Sequence, residues 1–113
     1  MDWYWEKGLH DAQITEKVVF DYNSAVLQEK KYQNGLELKI DAANAMFDTA
    51  VKALRFYNYK ELTQDADITG CWWISDSLTQ NGEKYILEIA LMNNKRQTVK
   101  YRIRFETCEV IRG

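Results

Sequence analysis

His10 and Asp11, near the start of the 113-residue chain, are the pair of side chains with the most obvious chemical potential. Imidazole and carboxylate commonly work together in general acid–base catalysis. Neighbours in an extended segment point to opposite faces, so we do not expect these two side chains to hydrogen-bond each other. His10 is the only histidine, and the sequence has no nucleophile elbow and no phosphate-binding glycine loop. We predict that the chain is not an enzyme and that the pair fixes the N-terminal segment, with contact to a partner as the alternative.

The two cysteines do not support metal chemistry. Cys71 and Cys108 have no metal-ligand spacing, and a single histidine cannot complete a zinc site of the Cys/His type. We therefore predict no metal and no other cofactor. Two buried free thiols are expected, with a cross-strand disulfide as the alternative.

Lys100, Arg102 and Arg104 alternate along one predicted strand, so their cations share a face. Such a stripe could bind phosphates. Proteins that bind single-stranded nucleic acid combine cations with aromatic stacking platforms, whereas here Tyr101 and Phe105 fall on the opposite face. We expect the stripe to be the solvated outer face of a sheet, and nucleic acid is not the predicted partner.

Aromatic residues are unusually numerous, with four Trp and seven Tyr. Packing on the domain's own core is the ordinary explanation. The alternative is an exposed binding surface, because Trp and Tyr are enriched among interface hot spots. Of the adjacent Trp72 and Trp73, one should enter the core and the other should not. The aromatic residues that we select as partner-binding anchors are Trp3, Trp5, Tyr57, Tyr59 and Trp73.

The elements that must position these residues are mostly strands. Segments 36–41 and 98–105 alternate between apolar and polar residues, which is typical of half-buried strands. Segment 84–92 is also predicted as a strand, but it is apolar on both faces and should be central or covered. The polar stretch 93–97 joins segments 84–92 and 98–105 and predicts a hairpin.

Asn-Gly pairs predict turns beside further strands. Asn34-Gly35 predicts a turn before the 36–41 strand, and Asn81-Gly82 predicts a hairpin turn after a strand at about 70–79. Another strand is predicted from Ile14 to Tyr22. The segment 24–33 is predicted as a loop or one helical turn.

Residues 42–62 have conflicting patterns. Apolar residues at helical spacing in an Ala-rich stretch favour a helix, whereas alternation from Leu54 onward favours a strand. We predict a loop or short helical turn at 42–49 and a strand at about 50–61. A helix near 42–54, which would make the fold α+β, is the alternative. Alternation loses its phase after Phe105, which predicts a β-bulge near Glu106–Cys108.

Together the segments predict a mainly-β fold, with one domain over residues 1–113. About six antiparallel strands in meander order would form a sandwich or open barrel, with at most one short helix.

The chain is 46% hydrophobic and 28% charged, which is a globular composition. A formal net charge of −2 does not suit a protein that coats nucleic acid or an anionic membrane. No apolar run could span a bilayer and no signal-peptide pattern is present, so we expect no membrane partner and a cytoplasmic location.

The segment Gly8-Leu9-His10-Asp11-Ala12-Gln13-Ile14 resembles the Leu/Phe-His-Asp-Ala-x-Ile opening of small bacterial proteins grouped with polymorphic-toxin immunity proteins. The later segments 36–40, 53–59, 70–73 and 85–89 are also similar in their order. The resemblance implies a β-rich cytoplasmic domain that works by binding a toxin and not by catalysis.

We therefore expect a protein-binding module, and its concrete form would be a bacterial immunity protein that occludes a toxin. A phage or mobile-element accessory protein that binds a host factor is one alternative. A small-ligand-binding β-barrel with an aromatic-lined cavity is another. Exposed strand edges make a homodimer possible.

Overall fold

The structure, a computed structural model, describes residues 4–5, 8–23, 32–45, 49–63 and 67–113. The fold is mainly β, as predicted, and the described residues contain no helix. The strands of this part of the chain are β1 (Gln13–Asn23), β2 (Tyr32–Asp41), β3 (Val51–Tyr57), β4 (Lys60–Glu61), β5 (Trp72–Asn81), β6 (Lys84–Met92), β7 (Thr98–Phe105) and β8 (Thr107–Arg112).

The strands form one antiparallel sheet that does not close, in the order β4-β7-β6-β5-β1-β2-β3-β8. Strands β1, β2 and β3 form one meander, and β5, β6 and β7 form another. Among the described residues the two meanders pair at a single position, Gln13 with Trp72. The predicted meander order is therefore right within each half and wrong between them, since β5 pairs with β1 and β4 pairs with β7.

The inner faces of both meanders supply one hydrophobic core. Phe56 of β3 and Phe105 of β7 have ring centroids 4.9 Å apart, so the two halves of the sheet face each other. The predicted alternation is confirmed by side chains that are completely buried, among them Leu36, Leu38, Leu87, Ile89, Leu91 and Ile103. The predicted 84–92/98–105 hairpin is also present.

The chain crosses between the two halves of the sheet at two points where a strand is interrupted, and these two interruptions lie side by side. The segment predicted as one strand at 50–61 divides into β3 and β4, because Asn58 has a left-handed φ of 52°. Glu106 separates β7, which pairs with β6, from β8, which pairs with β3. Asn58 Nδ2 donates to Glu106 Oε2 at 2.7 Å and joins the two interruptions. The predicted bulge near Glu106–Cys108 is therefore wrong, and eight strands replace the expected six.

The two predicted glycine turns have different outcomes. Gly82 and Glu83 connect β5 to β6, and only Gly82 of the two has a positive φ, 64°, which fits a type II′ turn. Asn34-Gly35 is not a turn, and that prediction is wrong. Gly35 lies inside β2, opposite Phe20 on one side and Tyr57 on the other. A glycine is required there because a Cβ atom would overlap the Phe20 ring.

The helical alternative fails where it can be compared with the structure. Residues 51–54 belong to β3, so the predicted helix near 42–54 is wrong over that stretch. Residues 43–44 and 49–50 form turns, while 46–48 lie outside the described residues. The predicted loop at 24–33 also lies outside them as far as residue 31, and the two residues after it begin β2.

Cys71 and Cys108 are free and buried, as predicted. Burial raises the pKa of both thiols. The thiolate form, which is the nucleophile, is therefore disfavoured at neutral pH.

Candidate binding surface

Two of the predicted anchors, Trp5 and Trp73, belong to the core. These residues are 7% and 1% exposed, and their rings meet edge to face with centroids 5.5 Å apart. The Asp76 carboxylate accepts hydrogen bonds from Trp5 Nε1 at 2.9 Å, from Trp73 Nε1 at 2.8 Å and from the Tyr4 hydroxyl. Both rings are buried and fixed in this way, so neither presents the exposed surface that a partner-binding anchor uses, and their predicted role as anchors stays a prediction. Trp3 lies outside the described residues.

A β-bulge at Ile74 brings Asp76 beneath the tryptophans. The register of β5 against β6 shifts between Trp73 and Ser75, so Ile74 is the extra residue. Residues three apart in a regular strand point to opposite faces. The bulge changes this phase, so Asp76 reaches the face of Trp73 and Leu78 packs against the core.

His10 and Asp11 attach the N-terminal segment to the same bulge. His10 Nδ1 lies 2.6 Å from the Ile74 carbonyl oxygen, to which it donates in the tautomer protonated at that nitrogen. Asp11 N donates to Trp73 O at 2.8 Å. The two side chains are not within hydrogen-bond distance of each other, as expected, but the segment is not extended: Asp11 has a left-handed φ of 72°, which brings its Oδ2 to 3.6 Å from His10 Nε2. Both ring nitrogens therefore face protein groups, which fits the structural role.

Tyr57 and Tyr59, the other predicted anchors, are half-buried, and burial raises the pKa of both phenols. The Tyr57 hydroxyl donates to Glu109 Oε1 at 3.0 Å on the outer face of β3. Tyr59 follows β3, and its backbone N–H and C=O both bond to the Asn34 side chain. The structure therefore does not bring the predicted aromatic anchors into one patch, because Trp5 and Trp73 face the core.

The predicted basic stripe belongs to a larger surface. Lys100, Arg102 and Arg104 are all exposed on the outer face of β7. Residues opposite each other in neighbouring strands share a face, so the register defines the surface around the stripe. We call it the basic face, and its rows from β7 through β6 to β5 are Thr98–Met92–Trp72, Lys100–Ala90–Ser75, Arg102–Glu88–Ser77 and Arg104–Ile86–Thr79, with Lys60 of β4 opposite Arg104.

Positive charge predominates on the basic face. Its four cations, Lys60 and the three of the stripe, surround one carboxylate, Glu88. The Glu88 oxygens lie 3.3 Å from Arg102 Nε and 4.0 Å from Lys100 Nζ. Arg104 and Lys60 form no ion pair with any residue that the structure describes. The face thus carries an excess of three positive charges on a chain whose formal net charge is −2.

Trp72 and Met92 form an apolar end of the basic face. They are 39% and 37% exposed and lie directly opposite each other on β5 and β6. The prediction that one of the two adjacent tryptophans enters the core is confirmed, but the partner-binding role was given to Trp73 and Trp72 was missed. Met92 was also missed, although its even position on β6 places it with the outward-facing residues.

The Tyr101 hydroxyl is a buried polar group without a hydrogen-bond partner among the described residues. The residue is 2% exposed, and burial together with the Glu61 carboxylate raises the pKa of its phenol. Glu61 is the charged neighbour of this hydroxyl, and its Oε2 accepts a hydrogen bond from Lys17 Nζ at 2.9 Å. A buried hydroxyl that makes no hydrogen bond is a cost to stability.

Tyr101→Phe is therefore expected to leave the free energy of unfolding unchanged or to raise it by up to about 1 kcal/mol. Tyr57→Phe is the matched control, since it removes a hydroxyl that does bond, to Glu109, and should lose about 0.5–1 kcal/mol. Urea unfolding of the three proteins measures both values. A loss for Tyr101→Phe as large as that of the control would mean that water or a shifted Glu61 satisfies the hydroxyl.

Among the described residues, one surface cleft of about 440 Å³ lies beside Ile40 and Val51, and one of about 330 Å³ lies beside Asp67 and Lys95. The described residues contain no group of three or more His, Cys, Asp or Glu side chains placed to hold a metal ion. In the same part of the chain, no helix has the length and apolar character needed to cross a membrane.

These features define a mainly-β fold with one open sheet, a hydrophobic core and a positively charged sheet face. No family model, curated protein or solved structure matches the chain. The resemblance to polymorphic-toxin immunity proteins therefore stays a prediction.

Proposed function

We propose that this chain is a non-catalytic protein-binding module whose basic face docks on an acidic protein surface. Its concrete form is a bacterial immunity protein that covers the active site of a toxin. The observation that supports the proposal most strongly is the exposed Trp72–Met92 pair at the end of a face with uncompensated cations.

Charge segregation supports an acidic partner. The basic face has three excess positive charges although the chain is net negative, so an acidic surface is attracted to this face and repelled by the rest of the molecule. Such complementarity raises the association rate and fixes the orientation of the complex.

A protein suits the face better than a nucleic acid does. Single-strand binders stack successive bases on aromatic rings. Between Trp72 and Arg104 the face instead presents small side chains, with Ser75, Ser77 and Ala90 at its centre. Glu88 among the cations would also repel a phosphate backbone.

Trp72 and Met92 supply the apolar anchor that binding energy requires. Interface energy concentrates in a few aromatic, Met or Arg side chains that lose their solvent on binding, and polar side chains form the rim. The Trp72–Met92 pair and the nearby column of cations on β7 reproduce that arrangement on one sheet. The binding residues that we propose are therefore Trp72, Met92, Lys100, Arg102, Arg104 and Lys60.

The rival functions have less support. A ligand-binding barrel needs a closed sheet around a cavity, whereas the described strands form one sheet that does not close. Catalysis by His10 has little support because one ring nitrogen is held by the Ile74 carbonyl and the other faces the Asp11 carboxylate. A phage or mobile-element accessory protein could use the same basic face, and only the identity of the partner separates it from an immunity protein.

The test is co-expression with any toxin that is encoded beside the gene for this chain. The wild-type protein should restore growth and co-elute with the toxin on gel filtration. Trp72→Ala and Arg104→Glu should each weaken binding by about 30-fold or more, which corresponds to a hot-spot loss of about 2 kcal/mol. Lys52→Glu, an equal charge change at an exposed position of β3 outside the basic face, should bind like wild type.

Three results would count against the proposal. The absence of both growth rescue and a complex would remove the immunity role. Equal weakening by Lys52→Glu and Arg104→Glu would show that net charge and not the basic face is responsible. Tight binding of a labelled single-stranded oligonucleotide that Arg104→Glu abolishes would assign the face to nucleic acid.

A further inference from the structure

One edge of β5 pairs with no described residue over most of the length of the strand. At the start of the strand, Trp73 N donates to Ala12 O and Trp73 O accepts from Asp11 N, which continues the pairing of β1. The left-handed Asp11 then turns the chain away. From Ser75 to Asn81 the strand pairs with β6 on one side, and no described residue pairs with its backbone on the other.

The backbone groups that face this edge can be assigned from the hairpin. Asn81 and Lys84 flank a two-residue turn, so they form a hydrogen-bonded pair. Such pairs alternate along an antiparallel ladder, so residues 79, 77 and 75 also bond to β6. The N–H and C=O groups of Asp76, Leu78 and Gln80 therefore point to the open edge.

The open edge lacks the usual protection against pairing with another chain. Exposed edges are commonly blocked by Lys, by Pro or by shortness. Residues 75–81, Ser-Asp-Ser-Leu-Thr-Gln-Asn, contain neither Lys nor Pro. Their one charge, on Asp76, is directed inward to the tryptophans. By contrast β4 has two residues, and β8 carries Glu109 and Arg112.

We propose that a second copy of this chain pairs with the open edge, antiparallel, about a two-fold axis at Leu78. This inference does not depend on the proposed function. Leu78 then lies opposite the partner copy's Leu78, and Asp76 lies opposite the partner copy's Gln80. The outward N–H and C=O groups of all three residues are then satisfied, which makes the edge self-complementary.

The burial of Leu78 and the separation of the two basic faces are both compatible with this dimer. Leu78 is half-buried in one chain and gains cover from its copy. The two basic faces lie on the same side of the joined sheet. Their β7 columns are five strand spacings apart, about 24 Å at about 4.8 Å each. That separation exceeds the screening length of about 8 Å at physiological salt, so repulsion between them is small.

The first test is the mass of the full chain in solution by light scattering. The wild-type protein should approach twice 13.4 kDa as its concentration rises. Ser77→Lys with Thr79→Lys puts four cations side by side across the joined edges and should return the protein to the mass of one chain. Thr98→Lys with Thr107→Lys, at exposed positions of β7 and β8, is the matched control and should still dimerise.

The second test reads the register of the joined edges. Ser77 lies opposite the partner copy's Thr79 in a non-hydrogen-bonded pair, where side chains are closest. A mixture of Ser77→Cys and Thr79→Cys proteins should therefore form a disulfide-linked dimer with oxidised glutathione, and each variant alone should form much less. The native cysteines contribute little because both are buried.

A wild-type protein that stays at the mass of one chain up to its solubility limit overturns the proposal. A dimer that survives the Ser77/Thr79 lysine pair overturns it as well, because the contact must then lie elsewhere. Cross-linking of Ser77→Cys alone as efficient as in the mixture would exclude the two-fold axis at Leu78.

Discussion

Asp76→Ala is expected to lower the free energy of unfolding by about 3 kcal/mol or more, because each buried donor left without an acceptor costs about 1–3 kcal/mol. The carboxylate accepts from the indole N–H groups of Trp5 and Trp73, both buried in the core, and from the Tyr4 hydroxyl. Alanine removes the acceptor of all three hydrogen bonds, two of which join Tyr4 and Trp5 to β5. Urea unfolding followed by tryptophan fluorescence measures the loss.

The control is Ser77→Ala, one residue away on the exposed face of β5, which should change stability by less than about 0.5 kcal/mol. Asp76→Asn should fall between the two, because an amide keeps one accepting oxygen but also presents N–H groups to the donors. If Asp76→Ala were as mild as Ser77→Ala, water would have to replace the carboxylate, and the aromatic cluster would not depend on it.

The importance of Asp76 could not be read from the sequence because it depends on the bulge at Ile74. The Gly82-Glu83 turn pairs Asn81 with Lys84, and a regular hairpin extended from it pairs residue 73 with residue 92 and so puts Trp73 on the outer face. The extra residue exchanges the two tryptophans, so Trp72 lies opposite Met92 and Trp73 enters the core. Alternation alone fixes a face only up to the next bulge.

The strands themselves were accessible to sequence reasoning because burial on one face imposes period two. Leu36 and Leu38 on β2 and the inward residues of β6 and β7 follow that rule without exception. The charged stripe on β7 follows from the same rule. Which strand lies beside which depends on contacts distant in the sequence, such as Gln13 with Trp72, and no local pattern encodes them.

Gly35 illustrates a pattern with two physical meanings. A glycine after an asparagine favours a turn because it tolerates a positive φ. Gly35 instead continues β2, and the space above it is filled by the Phe20 ring, which also meets Tyr57 edge to face at 6.0 Å between centroids. The sequence shows that residue 35 has no side chain but not why, because the reason is the Phe20 ring on the neighbouring strand β1.

Gly35→Val is consequently expected to lower the free energy of unfolding by about 1–3 kcal/mol, the usual cost of overpacking. The new Cβ would overlap the Phe20 ring, which must swing off the sheet and give up its contact with Tyr57. Urea unfolding of wild type and variant measures the change, and Gly82→Ala serves as a comparison in which strain comes from a φ of 64° without any neighbour within 4 Å.

The cause of the Gly35 effect is separable by repeating the substitution in Phe20→Ala. Without the ring, valine in a strand interior should be neutral or stabilising by up to about 1 kcal/mol, because glycine is the poorer strand residue. The change in the free energy of unfolding caused by Gly35→Val should thus have opposite signs in the two backgrounds. The coupling free energy between the two substitutions then measures the overlap of the valine with the ring. Gly82→Ala, whose cost is local to the backbone, should be equally unfavourable in both. A Gly35→Val loss that persists in Phe20→Ala would place the cause in the backbone of β2 and not in the ring above it.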